Sequence, residues 1–322
     1  MSKSDHKEEL NDYFTIGFYN LENLFDTKDD AYTNDDGFLP DSERRWTMKR
    51  YQKKVRKLGY TISQIGFKSS KKLPVIVGLA EVENQGVVED LLNSKFLKDH
   101  NYDLVHYDSP DERGIDTALI YDRTYFEVLG SDVHSVKLLD ENGEIDHTRD
   151  VLKVVGLLND EKIHLLVNHW PSRREGAEIS EPKRIEVSNR VVEVIRQIKS
   201  EDENAKIIVM GDFNDDPGCA SIKNLVHSTD LYNPMENLLK YSRGSLNHRF
   251  RWNLFDQILF TTNFFEFNPS RHSFSKANIF DKQFLKQFKG KYRGNPFRTY
   301  VGVKYKGGYS DHFPVYLLLK KG

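Results

Sequence analysis

The stretch "IIVMGDFNDDP" (residues 207–217) decides how the rest of the chain is read. Ile207–Met210 is an unbroken apolar run of the kind that forms a buried strand, and Gly211 is read as the turn that ends it. Asp212, Asn214, Asp215 and Asp216 then follow within five positions. An unpaired carboxylate inside a protein is costly, so such groups pair with donors or hold a cation. Any one of them has a bland reading as an Asx turn or helix cap. Several together at the end of a buried strand suit a cleft.

The pattern recurs along the chain. "GFYNLEN" (17–23) offers Asn20 and Glu22, and "VGLAEVEN" (77–84) offers Glu81. "NHWPSRR" (168–174) offers Asn168, His169, Ser172 and Arg173. "NLFDQILF" (253–260) places Asp256 within an apolar strand, and "GYSDHFPVY" (308–316) sets Asp311 and His312 at the mouth of another. Carboxylates without cysteine favour a hard cation, Mg²⁺ or Mn²⁺, over zinc. No G-x-x-x-x-G-K-[ST], G-x-G-x-x-G, H-E-x-x-H or G-x-S-x-G occurs, so P-loop hydrolysis, zincin proteolysis and α/β-hydrolase chemistry lose support.

The 322 residues carry 38% apolar and 12% aromatic side chains, enough for a large core. The single cysteine, Cys219, excludes a disulfide framework or a cysteine metal cluster. The polar start "MSKSDHKEEL" is followed by no apolar signal region, and no membrane-length run occurs. As it stands the chain reads as cytoplasmic, or as secreted or periplasmic had a signal been removed. Net charge is −2, but Lys240–Lys306 holds 14 Lys or Arg against 3 Asp or Glu. That segment reads either as a solvated surface or as a face that meets phosphates, with Arg243, Arg249 and Arg251 as test positions.

Strands are expected over 13–20, 74–81, 102–108, 116–122, 253–260 and 313–319, with a hairpin joining 151–158 to 162–170 through "NDEK". Trp46, Tyr51, Val55, Leu58, Ile62 and Ile65 mark an amphipathic helix with a basic outer face, and 87–97 a short one. Pro182 suits the start of a helix running to residue 200. Residues 264–298 show no clear period. Strands and helices mix throughout, which predicts α/β with at least one mixed sheet. Residues 1–12 read as a tail and 13–320 as one domain.

Asn20 with Glu22, Glu81, His169, "GDFN", Asp256 and "SDH", in this order, resembles the endonuclease/exonuclease/phosphatase superfamily. Its members include DNase I, abasic-site endonucleases, neutral sphingomyelinases and inositol polyphosphate 5-phosphatases. The segments "FYNLENLFD" and "NHWPSR" look most like its bacterial nuclease-annotated branch, and the resemblance runs from residue 16 to 319. It implies a DNase I-like four-layer α/β sandwich: two packed mixed β-sheets flanked by helices, with the strand ends forming one cleft.

The resemblance also implies roles. Glu81 would be the main Mg²⁺ ligand, with Mn²⁺ as substitute, and Asn20, Glu22 and Asp311 would lie near it. Asp212 and Asn214 would orient the attacking water and a phosphate oxygen. Asp256 would hold His312 in one tautomer, with His312 as general base or phosphate donor. His169 would be general acid or a second phosphate donor, which sides with the DNase I and sphingomyelinase branches. Arg173 and Asn168 are candidate phosphate contacts, Arg173 equally a partner for a surface acid, and Arg149 in "HTRD" is a further candidate. Asp116 lies near where the DNase I branch has an acid supporting its histidine, but reads first as an ordinary strand cap. The activity implied is Mg²⁺-dependent phosphodiester hydrolysis, foremost by a nuclease acting on DNA or RNA. A small-molecule or lipid-headgroup phosphoesterase (inositol phosphate or sphingomyelin type) is the alternative. A non-catalytic phosphate-binding module fits less well, since every ligand and acid–base position is filled.

Overall fold

The computed structural model describes residues 12–139, 142–174 and 176–322; residues 1–11 of the expected tail lie outside them. Two six-stranded sheets form the centre. The first contains β1 (Tyr13–Leu24), β2 (Ile76–Val82), β3 (Tyr102–His106), β4 (Asp116–Asp122), β11 (His272–Ile279) and β12 (Val315–Lys321), in the order β11-β12-β1-β2-β4-β3. The second contains β5 (Phe126–His134), β6 (Val151–Leu158), β7 (Glu161–His169), β8 (Lys206–Asp212), β9 (Leu231–Tyr232) and β10 (Asp256–Thr261), in the order β9-β10-β8-β7-β6-β5.

Each sheet has one parallel pair at its centre, β1 with β2 and β7 with β8, flanked by antiparallel neighbours. A parallel pair needs a crossover, which helices supply. Helix α1 (Met48–Gln64), the short α2 (Phe67–Ser70) and α3 (Gln85–Leu92) serve the first sheet. Helix α4 (Ala177–Glu201) joins β7 to β8, and α5 (Ala220–His227) follows.

The opening apolar run shows how the layers stack. Ile208 and Met210 join the core between the sheets, with Ile16, Phe18 and Phe260. Ile207 and Val209 join a second core under α4, with Val187, Val191, Ile195 and Ile198. A run buried on both faces needs no alternation, since one side meets a sheet and the other a helix. Tyr51, Val55, Leu58 and Ile62 of α1 cover the first sheet in the same way. The result is a four-layer α/β sandwich.

Several local expectations change. Gly211 does not turn the chain: it is paired within β8 to Asn168 and Gln257. A Cβ there would lie 2.4 Å from the Asn168 carbonyl oxygen, so close strand approach is what requires glycine. The turn belongs to Asn214, whose φ is 50°. Pro182 lies inside α4, one turn after its start. The turn before it is held by the buried Arg184 guanidinium, which donates to Ser180 Oγ (2.7 Å) and the Ala177 carbonyl (2.9 Å). Asp256 opens β10 instead of sitting within it. Part of the unassigned 264–298 region is the edge strand β11. Among the described residues no helix is long and apolar enough to cross a membrane.

Candidate active site

The central parallel strands β1, β2, β7 and β8 finish at one end of the sandwich with Asn20, Glu22, Glu81, His169 and Asp212. The antiparallel β10 and β12 begin there, bringing Asp256 and, just ahead of β12, Asp311 and His312. Two irregularities aim the acids. The pairing of β1 with β2 slips between Asn20 and Leu24, and that of β2 with β4 slips between Ala80 and Val82. At these bulges Glu22, Asn23 and Glu81 take φ values of 53°, 54° and 61°, uncommon for residues other than glycine.

The hydrogen bonds tie the cleft together. Asn20 Nδ2 donates to Asp212 Oδ2 (2.9 Å), and its Oδ1 accepts the Glu22 N–H (2.9 Å). The Asn214 N–H donates to Asp212 Oδ1 (3.0 Å). His312 Nδ1 lies 2.7 Å from Asp256 Oδ2, and its Nε2 faces Asp212 Oδ2 at 3.9 Å. His169 Nε2 stands 3.9 Å from Glu81 Oε1 and 3.8 Å from Asp212 Oδ2. Among the described residues nothing bonds His169 Nδ1 or Asp256 Oδ1, though both are buried.

Burial and crowding set the charges. Burial pushes Asp212 up to about 7, against the pull of His312, with Asp256 pushing the same way as burial. For His312 burial opposes the charge, but Asp256 and Asp212 outweigh it and hold the imidazole well above its ordinary value. His169 goes the other way: burial, then the nearby Arg149 and Arg113, keep it neutral. Burial, then the neighbouring Asp311, raises Glu22 to about 7.

Glu22, Glu81 and Asp311 are oxygen donors of the kind a hard cation takes, while the ligand atoms that lie within 4.8 Å of one another in the cleft are those of Asp212, Asp256 and His312. Glu22 Oε1 and Asp311 Oδ2 already share one guanidinium, Arg298, at 3.5 and 2.7 Å. Glu81 Oε2 accepts the Asn23 N–H (2.7 Å) while its Oε1 faces the cleft. The donor set is all oxygen, and two of its acids crowd each other, as expected where positive charge is to be bound. Asn20 has both ends of its amide engaged, so it fixes Glu22 and Asp212 relative to each other.

The three candidate phosphate contacts have their side chains engaged by protein atoms. Arg149 spends its guanidinium on Asp111 Oδ2 (2.8 Å) and the carbonyls of His169 and Trp170 (3.2 and 2.9 Å). Arg173 binds Asp215 Oδ1 (2.5 Å) and the Asn214 carbonyl (2.7 Å). Asn168 is fully buried, donating to the Leu166 and Met210 carbonyls and accepting from Trp170 Nε1. Asp116 supports His106 (3.0 Å) and the Ser109 N–H (2.9 Å) as a cap of β4, and no bond joins it to His169. Of the acids in the opening stretch, Asp212 reaches the cleft. Asp215 is buried against Arg173 and Arg184, and Asp216 caps the Leu254 N–H (2.6 Å).

Sequence reasoning missed Lys54, Arg113 and Arg298. Lys54 is buried and donates to the Glu22 carbonyl and to Thr299 Oγ1 (2.9 Å). Its position, three after Tyr51 and four before Leu58, put it on the apolar face of α1, which was a readable signal. Arg113 donates to Asn23 Oδ1 (2.5 Å) beside Glu81, from a loop without periodicity.

The sequence profile of the Endonuclease/Exonuclease/phosphatase family matches residues 15–321. No curated protein matches the chain. Among solved structures, an endonuclease/exonuclease/phosphatase family protein from Bacteroides thetaiotaomicron is 16% identical with a TM-score of 0.59, covering 96% of this chain and 98% of its own. A humanized TDP2 of D. rerio is 14% identical with a TM-score of 0.58, covering 96% and 99%. A mannosyl-6-phosphatase from B. thetaiotaomicron is 16% identical with a TM-score of 0.58, covering 95% and 99%. At such identities the likeness is one of fold.

Proposed function

The chain belongs to the Endonuclease/Exonuclease/phosphatase family, and from that premise we propose that it is a divalent-cation-dependent phosphodiesterase acting on nucleic acid. The observation that carries the reaction is the buried Asp256–His312 pair facing Asp212 at the strand ends. Glu22, Glu81 and Asp311 would hold Mg²⁺ or Mn²⁺, which when bound neutralises charge on phosphoryl oxygens.

The chain's own groups do the rest. Asp256 fixes the His312 ring so that Nε2 points into the cleft, where the protonated imidazole donates to a phosphoryl oxygen. Asp212, steadied by Asn20 and the Asn214 N–H, orients the attacking water and takes its proton as the new P–O bond forms. The P–O bond to the leaving group breaks in line. His169 Nε2, 3.8 Å from Asp212 Oδ2 and 3.9 Å from Glu81 Oε1, hydrogen-bonds the leaving oxygen, which takes its proton from solvent. Arg149 and Arg173 are engaged by protein atoms through several donors each, whereas Arg113 is held through one amino group by Asn23 Oδ1 and is the candidate phosphate-binding guanidinium.

A polymeric substrate is supported by the cleft rim. The hairpin formed by 246–248 and 251–253 starts where Leu246 bridges His312. Its tip carries Arg249, Arg251 and the exposed Phe250, whose ring stacks on Tyr292 at 5.4 Å. Arg243 is not part of this face: it is bound to Asp281 (3.2 Å) and Asn278 Oδ1 (2.7 Å). A small phosphomonoester is the second reading, favoured by the mannosyl-6-phosphatase likeness. Turnover of single- and double-stranded DNA, RNA, bis-p-nitrophenyl phosphate and mannose 6-phosphate, each with Mg²⁺ or EDTA, separates the readings. Cleavage of a nucleic acid that needs Mg²⁺ is the expected result, and exclusive turnover of the sugar phosphate would overturn it.

A further inference from the structure

Beside the catalytic cleft lies a second cavity, of about 1150 Å³, between α1, α2 and the segment running from β11 to Phe297. The two spaces share a wall. Residues 297–299 and 307–311 pair through the Tyr309 N–H on the Phe297 carbonyl (2.6 Å) and the Gly308 N–H on the Arg298 carbonyl (3.2 Å). Phe297 and Tyr309 turn their rings to the cavity. From the same segments Arg298 reaches Glu22 and Asp311, and the Thr299 N–H donates to Glu22 Oε2 (2.6 Å). Helix α1 contributes to both sides, Lys54 to the cleft and Lys57 to the cavity.

The lining combines rings with uncompensated positive charge. Lys57, Lys68, Lys276, Lys282 and Lys286 line the cavity, and no Asp or Glu does. Lys286 pairs with Asp281 (2.9 Å). Among the described residues no carboxylate lies within ion-pair distance of the other four. Lys57 Nζ donates to the Gly307 carbonyl and sits 4.5 Å from the Tyr309 ring centre and 5.4 Å from that of Phe297. Burial, then the nearby Lys53, pulls this ammonium down to about 8, the direction expected of a cation lacking an anion. Phe284 leans on Tyr309 at 5.5 Å, and Phe288, 64% exposed, meets Phe297 edge-on at 6.5 Å.

We infer that this cavity binds single-stranded nucleic acid, taking bases on its rings and phosphates on Lys68, Lys276 and Lys282. Alternating anionic and planar apolar groups match a lining that alternates ammonium and ring, and stacking on aromatic walls accepts any base. A bilayer surface is met by projecting side chains, whereas these rings line a concavity. The volume exceeds what a mononucleotide-sized ligand needs and accommodates a short run of strand. The inference rests on the nucleic-acid reading of the adjacent cleft and supplies its flanking-strand site.

The test uses Lys68→Glu/Lys276→Glu/Lys282→Glu and, separately, Phe288→Ala, in the full chain. Fluorescence anisotropy reads binding of a labelled oligothymidylate of about ten nucleotides over a salt series. Phosphatidylserine vesicles are the second probe, and bis-p-nitrophenyl phosphate turnover reports the cleft. The triple variant should bind the oligonucleotide at least about tenfold more weakly, with a log–log salt slope shallower by roughly 2. Phe288→Ala should weaken binding about threefold to tenfold with the slope kept, and turnover of the small substrate should stay unchanged in both. Equal oligonucleotide binding by wild type and triple variant would overturn the inference, as would wild-type binding to vesicles alone. If the wild type turns over no phosphoester yet the oligonucleotide losses appear, the cavity stands and the catalytic reading falls.

Discussion

Strands β7 and β8 run parallel through the second sheet, and their two ends treat buried charge in opposite ways. At the starting end Glu161 meets Lys206 (2.8 Å), the His272 ring (2.7 Å) and the His272 N–H (2.6 Å). Burial works against the carboxylate, but these partners win and hold it at about 2. At the finishing end His169 and Asp212 stand in the cleft, and burial with Asp256 drives Asp212 to about 7. Both ends bury ionisable groups on the same backbone. One sets each charge against an opposite one, Glu161 against Lys206 and His272, and so serves the fold. The other crowds acids and, among the described residues, leaves His169 Nδ1 and Asp256 Oδ1 without protein partners, which suits a ligand.

The contrast can be broken from either end. The largest effect expected is cation removal: EDTA should abolish hydrolysis and Mg²⁺ or Mn²⁺ restore it, read by a discontinuous turnover assay. Full activity in EDTA would remove Glu22, Glu81 and Asp311 from the reaction. Next, Asp256→Asn and His312→Ala should each slow turnover about a thousandfold or more, and the double variant little further, because coupled residues are lost together. Circular dichroism should show both variants folded at the assay temperature; multiplicative losses would mean the pair does not act as a unit.

Substituting at the far end should do the reverse. Glu161→Gln leaves Lys206 buried without its counter-ion, costing about 3 kcal/mol, or roughly 4 °C of melting temperature for a chain of this length, with turnover unchanged. Because Glu161 is depressed to about 2, its contribution is complete above the unfolded value near 4.5 and fades as pH falls toward 2. Calorimetry should therefore show the wild type and Glu161→Gln converging below about pH 4. The smallest effect expected is at Asp116→Asn, which should cost about 1 kcal/mol through His106 and change turnover less than about twofold. A large rate loss there would return Asp116 to the cleft.

What was legible in the sequence was local. Apolar runs that end in Asn, Glu, His or Asp announced the strand ends, and the mixing of strands with helices announced α/β with a mixed sheet, whereas the four layers came only with the family resemblance. Lys54 on an apolar helical face was legible in principle. Arg298 was not: it meets Glu22 from 276 residues away, out of a loop without period. Nor were the bulges that aim Glu22 and Glu81, since they arise from register between strands, which composition does not encode. The guanidiniums of Arg149 and Arg173 looked available in one dimension and are engaged in three.

The left-handed backbone at Glu22, Asn23, Glu81 and Asn214 has a consequence for how this chain would respond to selection. Each such residue holds strain of order 1 kcal/mol, maintained by the surrounding sheets. A laboratory lineage screened for heat resistance alone could shed that strain with glycine at Asn214 or Asn23, and would give up the side chains that hold the Trp170 carbonyl and Arg113 beside the cleft. Heat resistance and catalysis would then pull the same few codons in opposite directions. Libraries that hold these four positions fixed would keep the two properties separable.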